Sequence, residues 1–276
     1  MTYREAFRSG EKVLEAANIA DAKNDAWLLL AMVCKMDHTY YFVHMDEEMP
    51  PEQQNEYEGV LRKRGEHVPL QYITGEQDFM GMTFHVNSNV LIPRQDTETL
   101  VEEALHHIEP GMRVLDMCTG SGCVLISILK KCPGATGVGA DISKQALAVA
   151  KENAHLHEVP ADFEPSDLFD NIVNQYDMIV SNPPYIRSDV IPTLMPEVCQ
   201  FEPMQALDGK EDGLYFYRRI IAEAKGHLNA GGWLIFEIGY DQGEDVSEMM
   251  RFAGYRDVRV IKDLAHNDRV VCGQFQ

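Results

Sequence analysis

The strongest constraint on the fold is an alternation of β-favouring runs and helical stretches that begins at residue 113. Short apolar runs predict strands at 113–117, 136–141, 162–164, 178–181, 233–238, 256–261 and 270–275. Helical patterning between them predicts helices near 123–131, 143–157, 213–228 and 241–253. Such alternation is typical of strands that are joined by crossover helices, so we expect an α/β fold with a parallel sheet covered on both faces.

The N-terminal part of the chain has helical patterning instead. Thr2 and Glu5 have the spacing of a capping box, and the apolar stretch within 21–35 predicts a buried helix. Pro51 is suited to the first turn of a third helix. We therefore expect a small helical domain over residues 1–75.

A change of pattern follows this helical part. Glycines and asparagines separate β-favouring runs in residues 76–92, which predicts a β-hairpin linker with strands at 79–82 and 83–86 and a further run at 90–92. Asp96 has the chemistry of a helix cap and predicts a helix to about residue 107. The remainder, 93–276, is expected to be one catalytic domain.

Composition excludes several classes of protein. The chain has 24 Lys+Arg against 44 Asp+Glu, a net charge of −20, so we expect no bulk binding to nucleic acid. Its longest apolar run (26–34) is far shorter than the roughly 20 residues of a membrane span, and no secretory signal is expected at the N-terminus. The 6 cysteines have no metal-site spacing, which favours reduced thiols in a cytoplasmic protein without a metal.

A glycine turn follows the first of the predicted strands. Cys118, Thr119, Gly120, Ser121 and Gly122 connect that strand to a helix. Glycines allow a ligand to approach the backbone closely, and the first N–H groups of a helix favour an anion. The alternative is a turn that only connects the two elements.

An acidic residue stands at the end of the next strand. Asp141 lies about 20 residues beyond the turn, where a carboxylate can accept hydrogen bonds from ribose hydroxyls. Capping of the following helix is the alternative role. The glycine turn and the acidic residue together indicate an adenosine-type ligand, either NAD or S-adenosylmethionine. The dinucleotide fingerprint has a small residue three positions after Gly122, and Leu125 at this position argues against NAD.

The most informative motif is Asn182-Pro183-Pro184-Tyr185, which follows a predicted apolar strand. Two prolines end the strand, and the residue before a proline is held extended, so Asn182 is expected at the edge of the sheet beside the glycine turn. The Asn182 side-chain oxygen and the Pro183 carbonyl are two acceptors that suit a planar –NH2 group. They would align a weakly nucleophilic nitrogen for methyl transfer, with Tyr185 as an aromatic wall.

At these residues the chain resembles S-adenosylmethionine-dependent amino methyltransferases, and most closely the protein-glutamine N5-methyltransferases that modify peptide-chain release factors. The resemblance also includes 69–75, Leu91-Ile92-Pro93-Arg94-Gln95-Asp96-Thr97-Glu98, Glu202-Pro203 and Glu237-Ile238-Gly239. It implies a Rossmann-like seven-stranded methyltransferase domain and an N-terminal domain that holds the release factor. The implied substrate is the glutamine of the Gly-Gly-Gln loop, and the implied product of the cofactor is S-adenosylhomocysteine.

The resemblance also implies roles for individual residues. The turn from Cys118 to Gly122 should line the methionine part of the cofactor, Asp141 its ribose and Leu168 its adenine. Asn182, Pro183, Pro184 and Tyr185 should hold the glutamine amide, and Asn182 also borders the cofactor. The family usually has glycine at the position of Cys118 and often an aromatic residue near Leu168. Arg94, Asp96 and Glu98 either order the entrance of the cleft or form a structural ion pair and cap.

Three other functions remain possible from the sequence. An adenine-N6 DNA methyltransferase would use the same four residues on a flipped base, although the acidic composition argues against it. A non-catalytic protein could bind a release factor or an adenosine compound. An NAD oxidoreductase would need a hydride-transfer residue pair, and no such pair is visible.

Overall fold

The computed structural model describes residues 1–276. The chain divides into two compact units: Met1–Gly75 with Met195–Phe201, and Glu76–Leu194 with Glu202–Gln276. None of the helices combines the length and the apolar character that crossing a membrane requires.

The first unit is helical. Its helices are α1 (Tyr3–Ala16), α2 (Ala22–Cys34), α3 (His38–His44), α4 (Pro51–Gly65), α5 (Leu70–Thr74) and the later α9 (Pro196–Cys199). The predicted capping box is present at the start of α1: the Glu5 backbone N–H donates to Thr2 Oγ1 at 3.2 Å, and the Thr2 N–H donates to Glu5 Oε2 at 2.9 Å. The prediction of α1, α2 and α4 is confirmed, whereas α3 and α5 were not predicted.

A buried charge cluster explains why Met195–Phe201 belongs to the helical unit. Arg64 is buried and donates from Nε to Asp25 Oδ2 at 2.7 Å and from Nη1 to Glu197 Oε1 at 3.0 Å. His67 contacts the same Glu197 oxygen through Nδ1 at 3.0 Å. A buried arginine needs such partners, so Glu197 anchors α9 beside α4.

The second unit contains two sheets. A small hairpin consists of β1 (Glu76–Phe79) and β2 (Met82–His85). The main sheet has seven strands in the order β5-β4-β3-β6-β7-β9-β8. Its strands are β3 (Arg113–Met117), β4 (Thr136–Asp141), β5 (Asp162–Pro165), β6 (Tyr176–Ser181), β7 (Leu228–Glu237), β8 (Arg256–Lys262) and β9 (Asp268–Gln274).

Both faces of the main sheet are covered, as expected. Neighbouring residues of β3, Val114 and Leu115, are buried in two different apolar clusters, one for each face. The covering helices are α6 (Glu98–Leu105), α7 (Cys123–Lys131), α8 (Lys144–Leu156), α11 (Tyr215–Ala224) and α12 (Gly243–Phe252). The short α10 (Met204–Leu207) precedes α11 in the chain. The sheet is not wholly parallel, however, because β9 pairs antiparallel with both β7 and β8.

Local predictions near the hairpin were wrong in three respects. The run 79–82 is not one strand, because Met80 and Gly81 form the turn, both with positive φ (53° and 76°). Residues 90–92 form no strand. Asp96 does not cap α6; it lies in a 3-10 turn and its carboxylate is 3.2 Å from Arg269 Nη2.

Candidate active site

Three strand ends bring the predicted site residues to one edge of the sheet. Met117, the last residue of β3, pairs with Ala140 of β4 and with Ser181 of β6. Ser181 Oγ also donates to the Met117 carbonyl at 2.7 Å, which ties the two central strands together. Because all three strands run parallel, the residues that follow them meet at the carboxyl edge.

A cavity of about 360 Å³ lies at this edge. Eight of the residues predicted from the sequence line it: Cys118, Thr119, Gly120, Ser121, Asp141, Leu168, Asn182 and Pro184. Gly122, Pro183 and Tyr185 do not contribute to the lining. The size is within the usual range for a cofactor or small-ligand site.

The glycine turn has an unusual backbone. Cys118, Gly120 and Gly122 all have positive φ, at 63°, 55° and 80°. Cys118 is the one of the three with a Cβ atom, and this conformation costs such a residue roughly 1–2 kcal/mol. A Cβ atom on Gly122 would lie 3.1 Å from Ala150 Cβ, so Gly122 serves the packing of α7 against α8.

Asp141 links the turn to the start of α8. Its Oδ2 accepts from the Gly120 N–H and its Oδ1 from the Ser143 N–H, both at 2.9 Å. Burial raises the pKa of Asp141, and these backbone N–H groups oppose the shift. Ser143, rather than Asp141, caps the helix by accepting from the Ala146 N–H at 3.1 Å. Each carboxylate oxygen keeps a lone pair for a further donor.

A second acid, Asp116, was not predicted as a site residue. Its side chain is buried in the lining of the cavity and accepts from Thr119 Oγ1 at 2.6 Å. Burial raises the pKa of Asp116 to about 7. Its place near the end of an apolar strand, just before a glycine turn, was the signal that could have identified it.

Other lining residues were missed or left open by the sequence. Ile142 is 61% exposed and lines the cavity immediately after Asp141. Arg94 lines the cavity and is paired with the buried carboxylate of Glu202. Glu98 lies outside the lining, where its Oε1 accepts from the Met80 N–H at 2.5 Å.

Asn182 presents an unpaired acceptor. Its Nδ2 donates to Thr97 Oγ1 at 3.4 Å, and its Oδ1 makes no hydrogen bond within the protein. Tyr185 lies outside the cavity lining, and its hydroxyl donates to Glu237 Oε1 at 3.2 Å. Burial raises the pKa of that hydroxyl, so Tyr185 remains a neutral donor.

The composition of the lining fits S-adenosylmethionine. Two carboxyl groups, on Asp116 and Asp141, suit a cationic ligand that also has ribose hydroxyls. Leu168 and Ile142 offer apolar surface for a purine base. The Asn182 oxygen borders the same cavity and can accept from an –NH2 group.

Two family models match the chain. The PrmC N-terminal domain matches residues 5–75, and the methyltransferase small domain matches residues 94–195. Among solved structures, a methyltransferase from Pyrococcus furiosus has a TM-score of 0.54 at 15% identity, covering 71% of this chain and 90% of its own. That likeness shows the methyltransferase fold.

Curated relatives match over nearly the whole length. The release factor glutamine methyltransferase of Geobacter sulfurreducens is 40% identical over 262 residues, which are 95% of this chain and 92% of the relative. The enzyme of the same name from Clostridium botulinum is 39% identical, with 98% of each chain covered. This chain therefore belongs to the family of release factor glutamine methyltransferases.

Proposed function

We propose that this protein transfers a methyl group from S-adenosylmethionine to the side-chain amide nitrogen, N5, of the glutamine in the Gly-Gly-Gln loop of peptide-chain release factors. The observation that carries the proposal is the unpaired Asn182 oxygen, which borders the same cavity as Asp116 and Asp141. The helical unit would hold the release factor, and the reaction would take place in the cytoplasm, where release factors act.

When bound, the cofactor supplies an electrophilic methyl group on a sulfonium sulfur. The residues that would hold it are Cys118, Thr119, Gly120 and Ser121 on the methionine part, with Asp141 on the ribose hydroxyls and Leu168 beside the adenine. Asp116 adds a carboxylate that favours a cationic ligand. We assign Gly122 to the shape of the turn rather than to a direct contact.

The substrate side of the site would work mainly by alignment. An amide nitrogen is a poor nucleophile because its lone pair is delocalised into the carbonyl group. The Asn182 oxygen and the Pro183 carbonyl would accept hydrogen bonds from its two N–H groups and fix its direction of approach. Pro184 lines the cavity beside Asn182, whereas Tyr185 lies outside the lining and donates to Glu237 instead. As the new carbon–nitrogen bond forms and the carbon–sulfur bond of the sulfonium breaks, positive charge would develop on the nitrogen and both acceptors would become stronger partners. The cationic amide would then lose one N–H proton to water and leave the neutral N-methyl amide.

The test is incubation of the recombinant enzyme with a release factor and isotopically labelled S-adenosylmethionine, followed by peptide mass spectrometry. We expect one added methyl group on the glutamine of the Gly-Gly-Gln loop and none on a release factor in which that glutamine is alanine. Asn182→Ala should remove most of the transfer while cofactor affinity stays within about twofold of wild type, since the lost contact is to the substrate. Label in DNA and none in the release factor would refute the proposal.

A further inference from the structure

The orientation of the Asn182 side chain decides whether the proposed chemistry works. An asparagine amide has nearly the same shape when its oxygen and nitrogen are exchanged. With the oxygen towards the substrate it accepts from an –NH2 group, whereas with the nitrogen there two donors would face each other. Some neighbouring group must therefore select one orientation.

Thr97 is the neighbour that contacts this amide. Its hydroxyl lies 3.4 Å from Asn182 Nδ2, and the residue is only 3% exposed. A hydroxyl can donate only one hydrogen bond, so a Thr97 hydroxyl that accepts from Asn182 must donate to a different acceptor. No acceptor lies within ordinary hydrogen-bond distance and angle of the Thr97 hydroxyl as a donor.

Glu237 supplies the missing acceptor. Its Oε1 already accepts from the Tyr185 hydroxyl, while its Oε2 is buried and lacks a partner of ordinary hydrogen-bond geometry. The Thr97 hydroxyl acts on this carboxyl as a donor that lowers its pKa. Since buried polar atoms are rarely left unpaired, the proton of Thr97 and the orphan oxygen of Glu237 belong together.

We propose that Thr97 and Glu237 are positioning residues that hold the Asn182 oxygen towards the substrate amide. The ionised Glu237 carboxylate accepts a hydrogen bond from the Thr97 hydroxyl, so towards Asn182 the hydroxyl can only accept, and Asn182 must offer it the nitrogen. The inference rests on the proposed function, because the orientation of Asn182 matters only if its oxygen accepts from a substrate amide.

The same chain of contacts makes the orientation sensitive to pH. A protonated Glu237 can donate to Thr97, which then donates to Asn182 and draws the amide oxygen away from the substrate. Burial raises the pKa of Glu237 to about 7, so the change falls near neutrality. Activity is therefore lost as the pH falls. The positive charge of Arg269 lowers the pKa of Glu237, and the negative charge of Asp96 raises it. The other titratable groups that interact with Glu237 are Tyr185, Tyr217 and Cys123.

The experiment measures kcat, KM for the release factor and cofactor Kd from about pH 6 to about pH 8.5. For Thr97→Val we expect kcat to fall by about tenfold or more, with KM and cofactor Kd within about twofold of wild type, and Thr97→Ser should restore kcat. Glu237→Gln should have a low kcat without the acid limb of the wild-type profile, because its amide donates to Thr97 at every pH.

Ser247→Ala provides the control, because it removes a buried hydroxyl that has no partner and lies on α12, away from the cavity. Its kcat should equal that of the wild type. Wild-type kcat in Thr97→Val, or an unchanged acid limb in Glu237→Gln, would overturn the inference while the proposed function stands. If Thr97→Val fails to fold, the profile of Glu237→Gln and the activity of Thr97→Ser still decide. Absence of methylation by the wild type would overturn the proposed function itself.

Discussion

Replacement of Asp116 by asparagine is expected to stabilise the protein at alkaline pH. Burial raises the pKa of Asp116 from 3.8 to about 7 in the folded state. A carboxyl group with a raised folded-state pKa binds its proton more tightly in the folded than in the unfolded chain. The free energy of unfolding therefore falls as the pH rises from the unfolded to the folded pKa, and Asp116→Asn removes this loss.

The size of the effect follows from the pKa difference. One pKa unit corresponds to about 1.4 kcal/mol. Ionisation of Asp116 therefore lowers the free energy of unfolding by about 4 kcal/mol between pH 3.8 and about pH 7, and about 3 kcal/mol of this falls between pH 5 and pH 7. Glu237, also raised to about 7, adds a slope of the same sign that remains in the variant. The quantity to compare is therefore how far the free energy of unfolding falls between pH 5 and pH 8 in each protein. We expect the fall to be about 3 kcal/mol larger in the wild type than in Asp116→Asn.

Urea unfolding of wild type and Asp116→Asn at both pH values measures this difference. The amide introduced by the substitution keeps an acceptor and a donor for the contacts around Thr119, so the two proteins should be within about 1 kcal/mol at the lower pH. Asp170→Asn, at an exposed position of the same unit, controls for the loss of a negative charge. Equal losses of stability in wild type and Asp116→Asn between the two pH values would refute the reasoning.

Substitutions at four further positions test the site and the packing. Asp141→Asn should weaken cofactor binding about 10- to 100-fold with a smaller effect on kcat, measured by calorimetry and initial rates, because it weakens charge-assisted hydrogen bonds. The free energy of unfolding should be about 0.5–1 kcal/mol larger for Cys118→Gly than for Cys118→Ala. Glycine is usually the less stable of the two, but the φ of 63° at this position favours it. Gly10→Ala should cost about 1–3 kcal/mol in thermal unfolding, because its Cβ atom would overlap the Tyr57 hydroxyl. Gly59→Ala, whose Cβ atom has no neighbour closer than 4.0 Å, should instead gain up to about 1 kcal/mol.

The sequence predicted those elements whose signal is local. Strands at 113–117 and 136–141 were located to the residue, because each is an apolar run that ends at a turn or a polar residue. The hairpin turn was misplaced because Met80 is not a usual turn residue, although its φ of 53° places it in one. The antiparallel direction of β9 was missed, yet the connection from β8, only residues 263–267, is too short for a crossover helix.

The site was predicted in the same uneven way. The sequence correctly placed Asn182, Asp141 and Cys118 near one another, because each stands at the end of a strand or directly after one, and parallel strands bring such positions to one edge. Thr97 could not be identified from its surroundings in the sequence, since its importance depends on an amide 85 residues away. Glu237 stands at the end of a predicted strand, but its hydrogen bond with Tyr185, 52 residues away, could be known only from the structure.

The two carboxyl groups whose pKa burial raises to about 7 occupy different positions in the proposed reaction. Asp116 lines the cavity, where a cationic ligand would favour its ionised form, so cofactor binding should release a proton from it near neutral pH. Glu237 lies behind Thr97 and Asn182, where its ionised form selects the productive amide orientation. Ionisation of either group destabilises the fold, and the role proposed for each group uses its ionised form. In that proposal the loss of stability between pH 5 and pH 8 accompanies the arrangement that serves methyl transfer, and cofactor binding should recover the part that belongs to Asp116.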